Sequence, residues 1–327
     1  MKLVDDMLAG DVLSLARLIT KVERGDADVP QIMRLICPHI GRAYCIGITG
    51  PPGAGKSTVV DRLTAVIRKQ GCTVGIIAAD PTSPFTGGAV LGDRIRMQQH
   101  YLDKGVFIRS MATRGSEGGL PQSTSGVTKL LSASGKDFIL VETVGVGQTE
   151  LDIMQSADTT VVVLVPEAGD TIQTMKAGLF EIADIFAVNK ADRPGADNLV
   201  NDLRNMLHLH TGQTWWEVPV LATQAVHDVG IDELFKQIEK HRQTMEETGE
   251  LGKRRQEQRR REFLETVEHR VSNELLKLVE RDKEMERYMK MVESGEIDPY
   301  SAADEILRSG VVMTSWSQQL AGKKPKK

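Results

Sequence analysis

A chain of 327 residues, at roughly 150 residues per domain, has length for about two domains and a sizeable core. Its 41 Lys and Arg stand against 45 Asp and Glu, a formal charge of −4, which excludes the strongly basic signature of a dedicated nucleic-acid binder. Hydrophobic residues at 40% and charged residues at 26% exclude wholesale disorder, and the longest apolar run, Val161 to Val165, is far too short to cross a bilayer.

The first twenty residues carry Asp5, Asp6, Asp11 and Arg17, which interrupt any signal-peptide core. Cys37, Cys45 and Cys72 lack CxxC or CxxH spacing and read as reduced thiols, so a cytoplasmic location is expected. Residues 1–42 are expected to form a helical arm, with Asp11 as an N-cap and Leu13, Ala16, Leu18, Ile19 and Val22 at helical spacing behind it. From Tyr44 to about His241, six short apolar runs alternate with helical stretches: CIGIT, TVGIIAA, FILVET, TTVVVLV, DIFAVN and VPVLAT. Runs apolar on both faces predict an α/β fold with a mostly parallel central sheet flanked by helices, placed at 43–243. Glycine and proline then vanish between Lys253 and Ser294, predicting a helical region over 244–322 ahead of a basic tail at 323–327. Leu264, Val267, Val271, Leu275 and Leu278 fall on one stripe of a long helix there, packed either on its own nucleotide domain or on another subunit. The preceding basic run, Lys253 to Arg261, reads as a solvated helix face, and His208 with His210 as a surface pair.

Gly50-Pro-Pro-Gly-Ala-Gly-Lys-Ser57 matches G-x-x-x-x-G-K-[ST] between an apolar strand and a helix, the context that identifies a phosphate loop. Gly50, Pro52, Gly53, Ala54 and Gly55 form a backbone that can wrap a phosphate, and the following helix N-terminus, with Thr58, adds a favourable dipole. Lys56 is expected to neutralise β/γ-phosphate charge and Ser57 to ligate Mg²⁺. Asn189-Lys190-Ala191-Asp192 follows directly on DIFAV, at the carboxyl end of the sheet where open α/β folds bind ligands. A carboxylate at Asp192 accepts from guanine N1–H and N2–H₂ but meets a lone pair on adenine N1, so it selects guanine, with Asn189 on the other edge. Glu142 ends FILV, where a nucleotide hydrolase keeps a carboxylate near Mg²⁺. Gly145 offers an N–H to the γ-phosphate, and Asp80 and Asp93 are further carboxylates for the same metal. Val146 stands where many small GTPases carry a water-orienting glutamine, which predicts slow intrinsic hydrolysis accelerated by a partner or a rearranged loop, Gln148 being a distant substitute.

Together, GITGPPGAGKST, ADPTSPFTGGAVLGDRIRM, ILVETVGVGQTE, PEAGDTIQTMKAGLFEIADIFAVNKAD and GEIDPYSAADEIL resemble the MeaB family, also called ArgK. The resemblance implies a P-loop GTPase of the SIMIBI class that binds GTP/GDP with Mg²⁺. It also implies a chaperone of methylmalonyl-CoA mutase or a related coenzyme B12-dependent acyl-CoA mutase, gating adenosylcobalamin delivery. An adenosyltransferase is a second candidate partner, and the C-terminal helices are expected to make a homodimer. The family's switch III falls at Pro166 to Lys176, with Asp170, Gln173 and Lys176 as coupling residues. One departure is the loop ATQAVHDVGID at 222–232, which lacks an expected Ser-Gly or Ser-Ala pair and leaves Thr223 and Gln224 as the base contacts. Alternative functions are a metallochaperone GTPase, for which the chain lacks His-rich or Cys/His sites, and a transport-associated kinase or ATPase, against which guanine selection argues. Neither a membrane nor a nucleic acid is an expected partner.

Overall fold

The structure, a computed structural model, describes residues 1–80, 97–112, 120, 123–144, 153–154, 156–166, 180–210, 215–279 and 283–308. The chain divides into two units, Met1–Gln258 and Arg259–Lys327.

The first unit is built on strands β1 (Tyr44–Thr49), β2 (Val74–Asp80), β3 (Val106–Ala112), β4 (Phe138–Glu142), β5 (Thr159–Leu164), β6 (Ile185–Val188) and β7 (Val220–Ala222). They form one parallel sheet in the order β3-β2-β4-β1-β5-β6-β7. Every residue of β1, β4, β5 and β6 is buried, as a sheet covered on both faces requires. Six of these strands coincide with the apolar runs. The seventh, β3, is an edge strand whose sequence VFIRSMA is broken by Arg109 and Ser110 and is only half-buried. Arg109 turns that polarity to use by pairing with Glu23 and Thr20 of the N-terminal arm.

The arm consists of α1 (Lys2–Leu8), α2 (Val12–Arg24) and α3 (Val29–Ile36); α4 (Lys56–Lys69), α5 (Thr124–Ala133), α6 (Ala196–His210) and α7 (Ile231–Thr248) follow. One face of the sheet packs on the arm, α5 and α6 through Leu18, Ile19, Ile32, Val127, Leu130 and Leu203. The other packs on α4 and α7 through Val59, Leu63, Ile67, Leu234, Phe235 and Ile238. Asp11 accepts a hydrogen bond from Ser14 N at 2.8 Å and caps α2, a contact worth about 1 kcal/mol. Leu13, expected on the inward stripe, is exposed: Leu15, Leu18, Ile19 and Val22 make the buried stripe, and Leu13 lies on the opposite flank.

Helix α8 (Glu250–Val279) begins just after Gly249, the left-handed C-cap of α7. The basic run from Lys253 to Arg261 is not, as its sequence suggests, a solvated face throughout. Arg254 donates to both Asp184 oxygens at 2.8 and 3.0 Å, and Arg255 to both Asp158 oxygens at 2.8 and 2.7 Å. Each aspartate also serves the sheet: Asp158 accepts from Cys45 N at 2.9 Å and Asp184 from Thr160 N at 2.7 Å. Buried His241 completes the junction, its Nδ1 2.8 Å from Thr159 Oγ1 and its Nε2 3.4 Å from Asp184 Oδ1. Of the basic residues in the run, Lys253 and Arg259 to Arg261 are exposed, whereas Arg254 and Arg255 are half-buried. The run contains both kinds of position because a continuous helix presents all its faces, and two of its arginines meet buried carboxylates.

In the second unit, α9 (Lys283–Glu293) pairs with α10 (Pro299–Arg308), burying Met285 and Ala302. Asp298 caps α10 by accepting from Tyr300 N and Ser301 N. Phe263, Leu264, Val267 and Val271 of α8 are exposed. No helix among the described residues is long and apolar enough to cross a membrane.

Candidate nucleotide site

The parallel order places the ends of β1, β4, β6 and β7 along one edge, and the loops leaving them carry the expected site residues. Strand β1 runs into the phosphate loop. Gly50 (φ 137°), Gly53 (φ 75°) and Gly55 (φ 91°) all adopt left-handed backbone, which glycine tolerates without penalty. At Gly50 the requirement is also spatial, since a Cβ would overlap Val163 O on β5. Pro52 and Gly53 are exposed at the loop tip, Ala54 is buried beneath it, and Thr58 is partly buried in the first turn of α4.

Lys56 starts α4 and folds back across the loop. Its Nζ donates to Gly50 O at 2.7 Å and Pro51 O at 3.2 Å, leaving the ammonium buried at the centre of the loop. Ser57 Oγ donates to Glu142 Oε1 at 2.7 Å, joining α4 to the end of β4. Two hard oxygen donors therefore stand side by side next to a phosphate loop, a donor set suited to Mg²⁺. Glu142 is in register with Ala78 of β2, so Asp80 ends its strand two residues further along the same edge. Asp93, Gly145, Val146 and Gln148 lie outside the described residues, as do Asp170, Gln173 and Lys176.

The Asn189–Asp192 segment leaves β6 beside this loop. Asn189 is buried and uses both ends of its amide: Nδ2 donates to Ala54 O at 2.8 Å, and Oδ1 accepts from Ala225 N at 3.1 Å. It therefore ties the phosphate loop to the loop after β7. Lys190 holds a left-handed φ of 55°, which turns the chain so that Asp192 is exposed at the edge. Thr223 is buried; its N donates to Val188 O, its O accepts from Ala191 N, and its Oγ1 lies 3.4 Å from Asn189 Oδ1. Gln224 opens a short turn, exchanging backbone hydrogen bonds with Val229.

Three contacts here were not read from the sequence. Thr49, the last residue of β1, and Thr143, the residue after β4, place their hydroxyls 3.0 Å apart. Asp61 of α4 receives Gln99 Nε2 at 2.5 Å and lies 3.3 Å from His100 Nε2. Burial pushes the His100 imidazole down, but its hydrogen bonds and charge interaction with Asp61 outweigh that and hold it above its ordinary value. Asn189 reaching Ala54 is the third. A hydroxyl residue at each of two strand ends was the available signal for the first; the others join residues too far apart in sequence to pair by pattern.

Sheet order, phosphate loop and lysine define a P-loop nucleotide-binding protein. Residues 15–280 match the model of a family described as methylmalonyl-CoA mutase-associated GTPase MeaB. A Pyrococcus abyssi protein, provisionally named a GTPase, is 50% identical over 311 residues, covering 94% of this chain and 95% of that one. GTPase ArgK of Escherichia coli is 32% identical, covering 89% and 90%. The mouse mitochondrial methylmalonic aciduria type A homolog is 31% identical, covering 81% of this chain and 65% of that protein. A solved LAO/AO transport system kinase superposes with a TM-score of 0.68 at 25% identity, covering 93% and 95%. The chain belongs to the MeaB family and is a P-loop GTPase related to ArgK.

Proposed function

We propose that this GTPase serves a coenzyme B12-dependent acyl-CoA mutase of the methylmalonyl-CoA mutase type, gating adenosylcobalamin delivery and protecting the mutase. The observation that carries the reading is the match of residues 15–280 to a family described as mutase-associated. A mouse relative named for methylmalonic aciduria points the same way. The exposed stripe of Leu264, Val267 and Val271 supports pairing of two copies through α8.

In this reading the phosphate loop holds the GTP phosphates by its N–H groups. Lys56, already drawn over the loop by Gly50 O and Pro51 O, turns its charge to the β- and γ-phosphates. Ser57 and Glu142 hold Mg²⁺, with Asp80 and Asp93 as further carboxylates. Bound there, Mg²⁺ would neutralise charge on the GTP phosphates. Gly145 N–H meets the γ-phosphate. Asp192 reads the base, while Asn189 keeps the base loops and phosphate loop at a fixed separation.

Guanine selection has a direct test. Exchanging carboxylate for amide in Asp192→Asn should weaken GDP binding at least tenfold, about 1.4 kcal/mol, and partly restore binding of xanthine nucleotides. Isothermal titration reads both, and a wild type that binds ADP as well as GDP would overturn the assignment.

Service to a mutase predicts slow hydrolysis alone and faster hydrolysis with the partner, since valine at 146 cannot orient water. Switch III is the proposed coupling element. Lys176→Ala and Gln173→Ala should keep basal hydrolysis and GDP affinity while losing mutase stimulation, a coupling of ~1 to 3 kcal/mol. Phosphate release measured with and without a B12-dependent acyl-CoA mutase decides this: unchanged stimulation in both variants removes switch III. Absence of stimulation in the wild type, with no mutase captured from cell extract, removes the mutase role.

A further inference from the structure

We infer that the Thr49–Thr143 hydroxyl pair positions the magnesium-binding end of β4 against the phosphate loop, with Thr143 as a positioning residue. The inference rests on the reading of Ser57 and Glu142 as the Mg²⁺ site.

The two threonines occupy matching places. Thr49 is the residue before Gly50, where β1 becomes the phosphate loop, and Thr143 is the residue after Glu142, where β4 ends. Ile48 and Glu142 are register partners, so Thr49 and Thr143 come next on each strand. The backbone link Thr143 N to Ile48 O, at 3.1 Å, extends the pairing past Glu142. The hydroxyls then meet at 3.0 Å with both side chains at most 1% exposed.

Alternation along a strand sends successive side chains to opposite faces. Glu142 turns toward α4, where it meets Ser57; Thr143 and Thr49 lie on the other face. The pair thus lies on the face opposite the Ser57–Glu142 contact and acts on it through the backbone. A buried hydrogen bond between strand ends is well suited to this, because water does not compete for it. It holds the carboxylate of one strand in place beside the loop of the other, where Glu142 and Ser57 would together hold Mg²⁺.

Thr143→Val removes the hydroxyl and keeps the shape. The measurement is GDP affinity by isothermal titration, with Mg²⁺ and with chelator, together with kcat and KM for GTP. The gain in GDP affinity on adding Mg²⁺ should shrink about fivefold, what one buried hydrogen bond is worth. Affinity in chelator should stay near wild type, and kcat should fall more than KM rises. Thr143→Ser, which restores the hydroxyl, should recover the wild-type Mg²⁺ response, and Thr49→Val should reproduce the loss from the other strand. If the valine variants do not fold, Thr143→Ala against Thr143→Ser carries the same contrast. A Thr143→Val protein with the wild-type Mg²⁺ response overturns the inference, as does a serine variant no better than valine or alanine. A wild type whose GDP affinity ignores Mg²⁺ faults the magnesium reading itself.

Discussion

Lys56→Ala should lower GTP hydrolysis by about 10²- to 10³-fold, the usual cost of removing one preorganised charge from a transferring phosphoryl group. The structure adds a reason for the size of this loss. Lys56 Nζ is buried against Gly50 O and Pro51 O, so the ammonium also closes the loop around itself. Losing it removes the charge that meets the phosphates and a tie that shapes their cradle. Phosphate release under saturating GTP is the measurement, and full activity in the variant would reject the phosphate-loop reading.

The second large effect falls at the opposite edge of the sheet and on stability. Arg255→Ala leaves Asp158 facing Cys45 N without its guanidinium, and Arg254→Ala does the same to Asp184. Breaking a buried pair from one side costs about 3 kcal/mol, because the remaining charge stays desolvated. For a unit of this size the melting temperature should drop by roughly 6 to 12 °C. The effect depends on pH. Burial pushes the Asp184 carboxyl up, but hydrogen bonds and charge from His241 and Arg254 outweigh it and hold the carboxyl below its ordinary 3.8. A depressed carboxylate contributes fully above its unfolded value, and the contribution is lost as pH falls through the folded one. The gap between wild type and Arg254→Ala should therefore be widest near neutral pH and narrow below about pH 3.8. Thermal melts across that range read it, and a gap that persists unchanged into acid would mean that packing, not the ion pair, holds α8.

The legible parts of this molecule are those whose signal is local. The phosphate loop announces itself because eight consecutive residues carry glycine where the backbone is left-handed, then lysine and serine where a helix begins. Six strands were legible as unbroken apolar runs, since a strand covered on both faces admits little else. Strand β3 was not, because its half-buried sequence keeps polar residues, and the partners of its Arg109, Glu23 and Thr20, lie 86 and 89 positions away. The same limit hid the clasp at α8. Nothing in the run KRRQEQRRR distinguishes Arg254 and Arg255 from the solvated arginines after them; what distinguishes them is Asp184, 70 positions before Arg254, and Asp158, 97 positions before Arg255, which come within reach only once the sheet is assembled. Asn189 shows the intermediate case. Its type and place suggested a nucleotide contact, while its amide is shared between Ala54 O and Ala225 N.

The arginine clasp also bears on where the nucleotide-binding part of the chain ends. The boundary expected from sequence falls at residue 243, and Gly249 closes α7 with a left-handed turn, so either looks like a natural place to trim. A fragment cut there would keep the loops of the nucleotide edge and yet leave Asp158 and Asp184 without their guanidinium partners at the other. The helix that looks like an appendage supplies the last counter-ions of the sheet through Arg254 and Arg255, and Gln258 adds donors to Met154 O and Ala157 O. A fragment meant to keep these ties should therefore extend through Gln258, two turns into a helix that composition alone assigns to a different part of the protein.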